Sequence, residues 1–203
     1  MIKNISNLGD SAVYCDFGSE VNEEVNKNVI EYFNHLSNLI KEKKIEGINN
    51  LIPSYNKLII SFDLSLTNYS KLKDLILSLD IKKNKKNDIK KVVIPVCCDD
   101  EYGLDFKRLS KKLNLTKEEI LKQYFSKEYF CYMTGFIAGM PFLGDTSNKI
   151  RCDRLETPRV IVPKGAVGIT EQFANIYTFE SPGGWNIIGN APKKIFLKSN
   201  LDN

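Results

Sequence analysis

The sequence predicts an α+β protein, with a small α/β module first and a β-rich half, barrel or sandwich, after it. Three observations carry this. Between residues 21 and 40 apolar side chains recur at three- and four-residue steps, the period of a helix with one buried face. Strand-length apolar runs lie on either side of that helix. Beyond Tyr129 the texture changes to short β-type runs separated by glycine and proline, as in all-β architectures. With 203 residues, 42% hydrophobic and 27% charged, the chain can bury one large core or two small ones.

Residues 11–17 read as a strand entered through the turn Gly9-Asp10. Val21, Val25, Val29, Tyr32 or Phe33, Leu36 and Leu39 or Ile40 then form one apolar helix face, with Glu and Lys opposite. The only histidine, His35, falls inside this helix; with no second histidine it points to neither a metal site nor a catalytic triad. Strands around 46–53 and 57–62 follow, joined by Ser54-Tyr55-Asn56, and then a helix over 69–79. The order β-α-β-β-α suits a small sheet with helices on one face.

Lys82, Lys83, Lys85, Lys86, Lys90 and Lys91 concentrate the positive charge. No aromatic residue there offers a base a stacking platform and no sequence-reading motif surrounds the run. A solvated linker is the expected reading, with a nucleic-acid or lipid-headgroup patch as the alternative. The domains are accordingly set at 1–84, an α/β N-terminal domain, and 85–203. In the second domain 92–96 reads as a strand, and 105–113 and 115–124 as helices. Thr116 and Glu119 have capping-box spacing. Strands are expected at 129–136, 160–162, 174–179, 185–188 and 194–197.

Net charge is a mild +4. No window approaches about 18 consecutive apolar residues, and Met1-Ile2-Lys3-Asn4 leads into no signal-type stretch. A cytoplasmic protein with neither membrane nor nucleic-acid partner is expected. The five cysteines, Cys15, Cys97, Cys98, Cys131 and Cys152, include no CxxC pair, so reduced structural thiols and no metal site are expected.

Two glycine-punctuated segments stand out: Val162-Pro163-Lys164-Gly165-Ala166-Val167-Gly168-Ile169 and Ser181-Pro182-Gly183-Gly184-Trp185. In the second, Pro182 presets φ and the glycines reach φ > 0 cheaply. Such a turn can aim successive N–H groups at an anion, with Trp185 as an apolar wall. It can equally be a tight hairpin turn with a core tryptophan behind it.

These segments follow Gly135-Phe136-Ile137-Ala138-Gly139-Met140-Pro141-Phe142-Leu143-Gly144 and Thr157-Pro158-Arg159, and bracket Ile176-Tyr177. The succession resembles the 5-oxoprolinase B-subunit family, also described as allophanate hydrolase subunit 1 and as the sporulation-kinase inhibitor family. Gly9-Asp10-Ser11-Ala12 and Leu51-Ile52-Pro53-Ser54-Tyr55 are similar to that family's pattern too, so the resemblance covers nearly the whole chain. It implies a cyclophilin-like β-barrel C-terminal domain. It also implies companion A and C subunits and ATP-dependent opening of 5-oxoproline to glutamate by the assembly. One member inhibits a sporulation histidine kinase, and the same arrangement resembles the carboxyltransferase part of urea carboxylase. Kinase regulation and carboxyl transfer with a biotin-carrying partner are therefore the alternatives.

Holding phosphates and a carboxylate is a task for guanidinium groups and glycine-loop N–H groups. Arg154 and Arg159, just before the Val-Pro-Lys-Gly segment, are the expected anion clamp; a surface or structural arginine is the alternative for each. Gly165, Gly168, Gln172, Tyr177 and Ser181 join them as ligand-binding residues, together with Gly183, Gly184 and Trp185. Gly135, Phe136, Phe142 and Pro163 are the expected pocket wall. No GxxxxGK[ST] loop is present, so ATP would occupy a site shared with partners. The chain departs from the family pattern at Tyr124, where the family carries a histidine, and at Ala138, Ala166 and Phe173. Those changes remove a general-base candidate, a proline, a hydroxyl and a flexible glycine from the implied pocket.

Overall fold

The computed structural model describes residues 1–81 and 90–197, and the chain divides into the units Met1–Lys90 and Lys91–Asn203. The boundary expected at 84–85, with Lys82, Lys83, Lys85 and Lys86, lies outside the described residues; Lys90 and Lys91 are exposed. No described helix is long and apolar enough to cross a membrane.

In the first unit β1 (Asn4–Asn7), β2 (Ala12–Asp16), β3 (Ile48–Pro53) and β4 (Lys57–Phe62) form an antiparallel sheet in the order β1-β2-β4-β3. Every second residue of β2 and β4 is buried: Val13 and Cys15, then Leu58, Ile60 and Phe62. That is the signature of a sheet covered on one face. The cover is α1 (Glu23–Lys41) and α2 (Tyr69–Ser78), whose Val29, Leu36, Leu72 and Ile76 complete the core. Each such side chain contributes about 1.5–3 kcal/mol of burial. Asn22 and Asn68 cap the helices, accepting from the Val25 and Lys71 N–H groups at 2.9 and 3.0 Å. His35 lies half-buried within α1. Burial pushes the Cys15 thiol up to about 12, consistent with a structural role. Strand β1 escapes a sequence reading because it is a short edge strand of mostly polar residues, NISN.

The second unit contains α3 (Phe106–Leu113), α4 (Lys117–Tyr124), β5 (Phe130–Thr134), β6 (Pro141–Gly144) and β7 (Arg159–Val162). It continues with β8 (Ala166–Thr170), β9 (Phe173–Ile176), β10 (Ser181–Gly183) and β11 (Asn186–Asn190). Five strands pair as β11-β8-β9-β6-β5, and β10 pairs with β7 as a separate ribbon. All pairings are antiparallel. Among the described residues both sheets are open, with no ladder joining β5 to β11. The capping box forms: Thr116 Oγ1 accepts from the Glu119 N–H at 3.2 Å, and Glu119 Oε2 from the Thr116 N–H at 2.8 Å.

Several expectations need correction. Residues 92–96 are not a strand: Val92 and Val93 are exposed, and Pro95 has no N–H to donate to a ladder. Pairing starts only at Cys97, which exchanges two 2.8 Å backbone bonds with Asn190. Residues 194–197 are irregular, although Ile195 packs against the core. Conversely, β6 and β8 fall outside the strands expected from sequence. In β8, Ala166 to Ile169 are all buried, because both faces of the strand are covered. Val167 and Ile169 meet Phe106, Leu109 and Ile120 of the helices. Ala166 meets Met140, Val162, Tyr177 and Ile187. With no polar face the strand shows no alternation. Tyr124 stacks on Tyr129 at 5.1 Å within the helix-side core.

Asn26 of α1 is fully buried, and its Nδ2 donates to the carbonyls of Ser54 and Tyr55 at 3.0 and 2.9 Å. Replacing it leaves two acceptors without their donor. Asn26→Ala is therefore expected to lower unfolding free energy by about 2 kcal/mol, read by urea denaturation; a change within error would show that the turn finds other donors.

Candidate functional site

Ribbon β7–β10 supplies Val162 to the cluster holding Met140, Ala166, Tyr177 and Ile187. Polar groups gather around the same cluster. Gly183, in β10, lies over the Tyr177 hydroxyl so closely that a Cβ there would stand 2.3 Å from it. A Cβ on Gly184 would stand 2.9 Å from Nη2 of Arg154. These two glycines give way to a phenol and a guanidinium, which is a steric reason for glycine rather than a φ requirement.

Arg159 opens β7 and is anchored by Asp105: Nη2 donates to Oδ1 at 2.6 Å. Its Nη1 is buried with no hydrogen-bond partner, as is Oγ of Ser181 in β10. Arg154 is exposed and forms no ion pair among the described residues. Burial raises the Tyr177 pKa above the usual phenol range. Asn175, both arginines and the Trp185 N–H pull the other way, because each favours the phenolate. At neutral pH this hydroxyl keeps its proton and can donate it in a hydrogen bond. Asn175 is fully buried beside Tyr177, yet neither atom of its amide completes a well-formed hydrogen bond. Trp185 packs edge-on against Phe142, ring centroids 5.6 Å apart.

The structure thus brings together Arg154, Arg159, Tyr177, Ser181, Gly183, Gly184, Trp185 and Phe142 of the residues expected from sequence. The others take different places. Gly168 lies within β8, where a Cβ would come 2.7 Å from Asn175 Oδ1 and 3.0 Å from Trp185 Cβ. It permits close packing behind the site and offers no loop N–H to a ligand. Gly165 turns the chain at φ +84 and spends its N–H on the Tyr177 carbonyl at 2.7 Å; Pro163 is exposed beside it. Gln172 sits in the β8–β9 turn, five extended residues or about 16 Å from Tyr177. Gly135 starts the β5–β6 turn, where Phe136 takes φ +65 and is 69% exposed, projecting outward instead of walling a pocket. That turn is tied down by the Thr178 hydroxyl, which donates to the Ala138 carbonyl at 2.6 Å.

Asp105 and Asn175 escape a sequence reading. Asn175 carries a signal, an amide inside the apolar run Phe173 to Tyr177. Asp105 carries only that of a helix start. Arg154 is the exposed donor of this group and suits a carboxylate or phosphate oxygen; the Arg159 Nη1 and Tyr177 lie buried behind it. In the Val162 to Ile169 segment the glycines offer no open row of N–H groups, since Gly165 has its N–H bonded and Gly168 is packed inside a ladder.

A family model described as "Carboxyltransferase domain, subdomain C and D" matches residues 3–202. A 5-oxoprolinase B subunit from Bacillus subtilis (strain 168) is 33% identical over 208 residues, 95% of this chain and 83% of that protein. The chain belongs to the 5-oxoprolinase B-subunit family. Another member, from Haemophilus influenzae, is 39% identical over 108 residues, covering 53% of this chain and 51% of its own length. The solved structure of TTHA0988 superposes with TM-score 0.79 at 27% identity, over 92% of this chain but 36% of that one. Kluyveromyces lactis urea carboxylase shares the fold, with TM-score 0.75 at 16% identity over 92% of this chain and 19% of its own. The chain thus spans about half of some family members and about a third of the TTHA0988 chain.

Gly183→Ala is expected to cost about 2 kcal/mol through overpacking, and less on a Tyr177→Phe background that removes the nearest atom. Denaturation of the single and double variants gives the coupling; equal costs on both backgrounds would locate the strain elsewhere.

Proposed function

We propose that this chain is the B subunit of an ATP-dependent 5-oxoprolinase, which hydrolyses 5-oxo-L-proline to glutamate, and that it works with companion A and C subunits. Membership in the B-subunit family supports the reading. The observation that carries it is the arginine face: Nη1 of Arg159 and Oγ of Ser181 lie buried without partners beside the exposed Arg154. The substrate's carboxylate suits such a face, where charge-assisted bonds are the strong ones. Tyr177 adds a neutral O–H donor, and the Trp185–Phe142 pair adds an apolar edge for the ring methylenes. In this reading the chain binds and orients, nucleotide is held with the companions, and the cyclophilin-like barrel describes the second unit's family fold.

Carboxyl transfer is the second reading, favoured by the family description and by the fold shared with urea carboxylase. It requires a separate biotin-carrying protein.

Reconstitution decides between them. The chain alone is expected to be nearly inactive, and glutamate release to appear only when the A and C subunits and ATP are added. Arg154→Ala should lower kcat/KM by about 10- to 100-fold with an unchanged melting temperature, since this side chain is exposed and unpaired. Unchanged turnover in that variant would remove the arginine face from the site. A complete assembly that binds neither ATP nor 5-oxoproline would end the 5-oxoprolinase reading.

A further inference from the structure

The backbone of Tyr177 borders a second feature, a recess of about 250 Å³. Ile176, Ile195 and Phe196 give it apolar walls, and Lys164, Lys193 and Lys194 stand around it. The three lysines are exposed, and none forms an ion pair among the described residues. Lys164 is held in place. The Gly165 N–H donates to the Tyr177 carbonyl and the Ala191 N–H to the Gly165 carbonyl, both at 2.7 Å. Asn190 Nδ2 donates to the Lys164 carbonyl at 2.9 Å. The Lys164 Nζ lies 5.4 Å from the Phe179 ring centroid, and Phe179 packs edge-on to Phe196 at 5.8 Å. The aromatic pair thus links the placed ammonium to the apolar wall.

We propose that this recess binds a small anion, a carboxylate or phosphate borne on a short apolar body. The lining is mixed: lysines with no ion pair among the described residues stand beside the apolar side chains of Ile176, Ile195 and Phe196, with Thr178 and Asn190 between them. Size limits the ligand, because the volume equals about eight waters at ~30 Å³ each and falls below the ~300 Å³ at which drug-sized pockets begin. Lysine acts here as a point charge without planar geometry, so the site selects for charge and bulk more than for orientation. The proposal is independent of the 5-oxoprolinase reading.

Titration of the full isotope-labelled chain with inorganic phosphate and with butyrate, followed by amide NMR, tests it against sodium chloride at matched ionic strength. The amides of Gly165, Thr178, Asn190 and Phe196 are expected to shift saturably with at least one of the two anions. Lys164→Gln and Lys194→Gln should each weaken the apparent affinity on the order of 2- to 5-fold, while Lys122→Gln, on α4, should leave it unchanged. Tighter saturation by butyrate would assign the ligand to carboxylates, and by phosphate to phosphoryl compounds. Equal shifts with sodium chloride, or lysine variants that titrate like the parent chain, would overturn the proposal.

Discussion

One buried carboxylate organises the second unit. Asp105, 4% exposed, accepts from Arg159 Nη2 through one oxygen and from the Ile187 N–H through the other, both at 2.6 Å. Its own N–H donates to the Ile187 carbonyl at 3.0 Å. The start of α3, the ribbon strand β7 and the sheet strand β11 therefore converge on a single side chain. A charge taken out of water is costly unless paired, and losing one member of such a pair typically costs 3–5 kcal/mol. The pairing fixes the Arg159 guanidinium, whose Nη1 is buried behind it.

The glycine segments stand out in the sequence, and the structure gives three of their glycines a steric role. Gly183 and Gly184 lack a Cβ where Tyr177 and Arg154 press in. Gly168 performs the same service against Asn175 and Trp185 inside a fully buried strand. Local patterns do not reveal this, because the contact partners lie on other elements of the fold. What was legible had local causes. The α1 stripe follows from its period, and the α4 start from Thr116 and Glu119, three residues apart. The Arg159–Asp105 pair spans 54 positions, and no spacing rule reaches so far. Strand β8 was hidden by a different effect, since burial on both faces erases the alternation that marks a strand.

Arg154 and Arg159 differ in what they contribute. Arg159 is neutralised, rigid and three-quarters buried, with 26% of its side chain exposed; it supplies geometry. Arg154 is exposed and uncompensated; it supplies net charge. Of the positions that depart from the family pattern, Tyr124 lies in the helix-side core, Ala138 contributes a carbonyl to Thr178, Phe173 packs edge-on against Tyr132 at 6.3 Å, and Ala166 shares a cluster with Val162 and Tyr177.

Trp185 is the only tryptophan in the chain. Its ring rests against Phe142 and its main-chain N–H faces the Tyr177 hydroxyl. Indole emission responds to local polarity, so the molecule carries a built-in optical reporter at its arginine face. Arrival of an acidic compound, or of a protein that shields that face from solvent, would register as a change in intensity or wavelength without any attached dye.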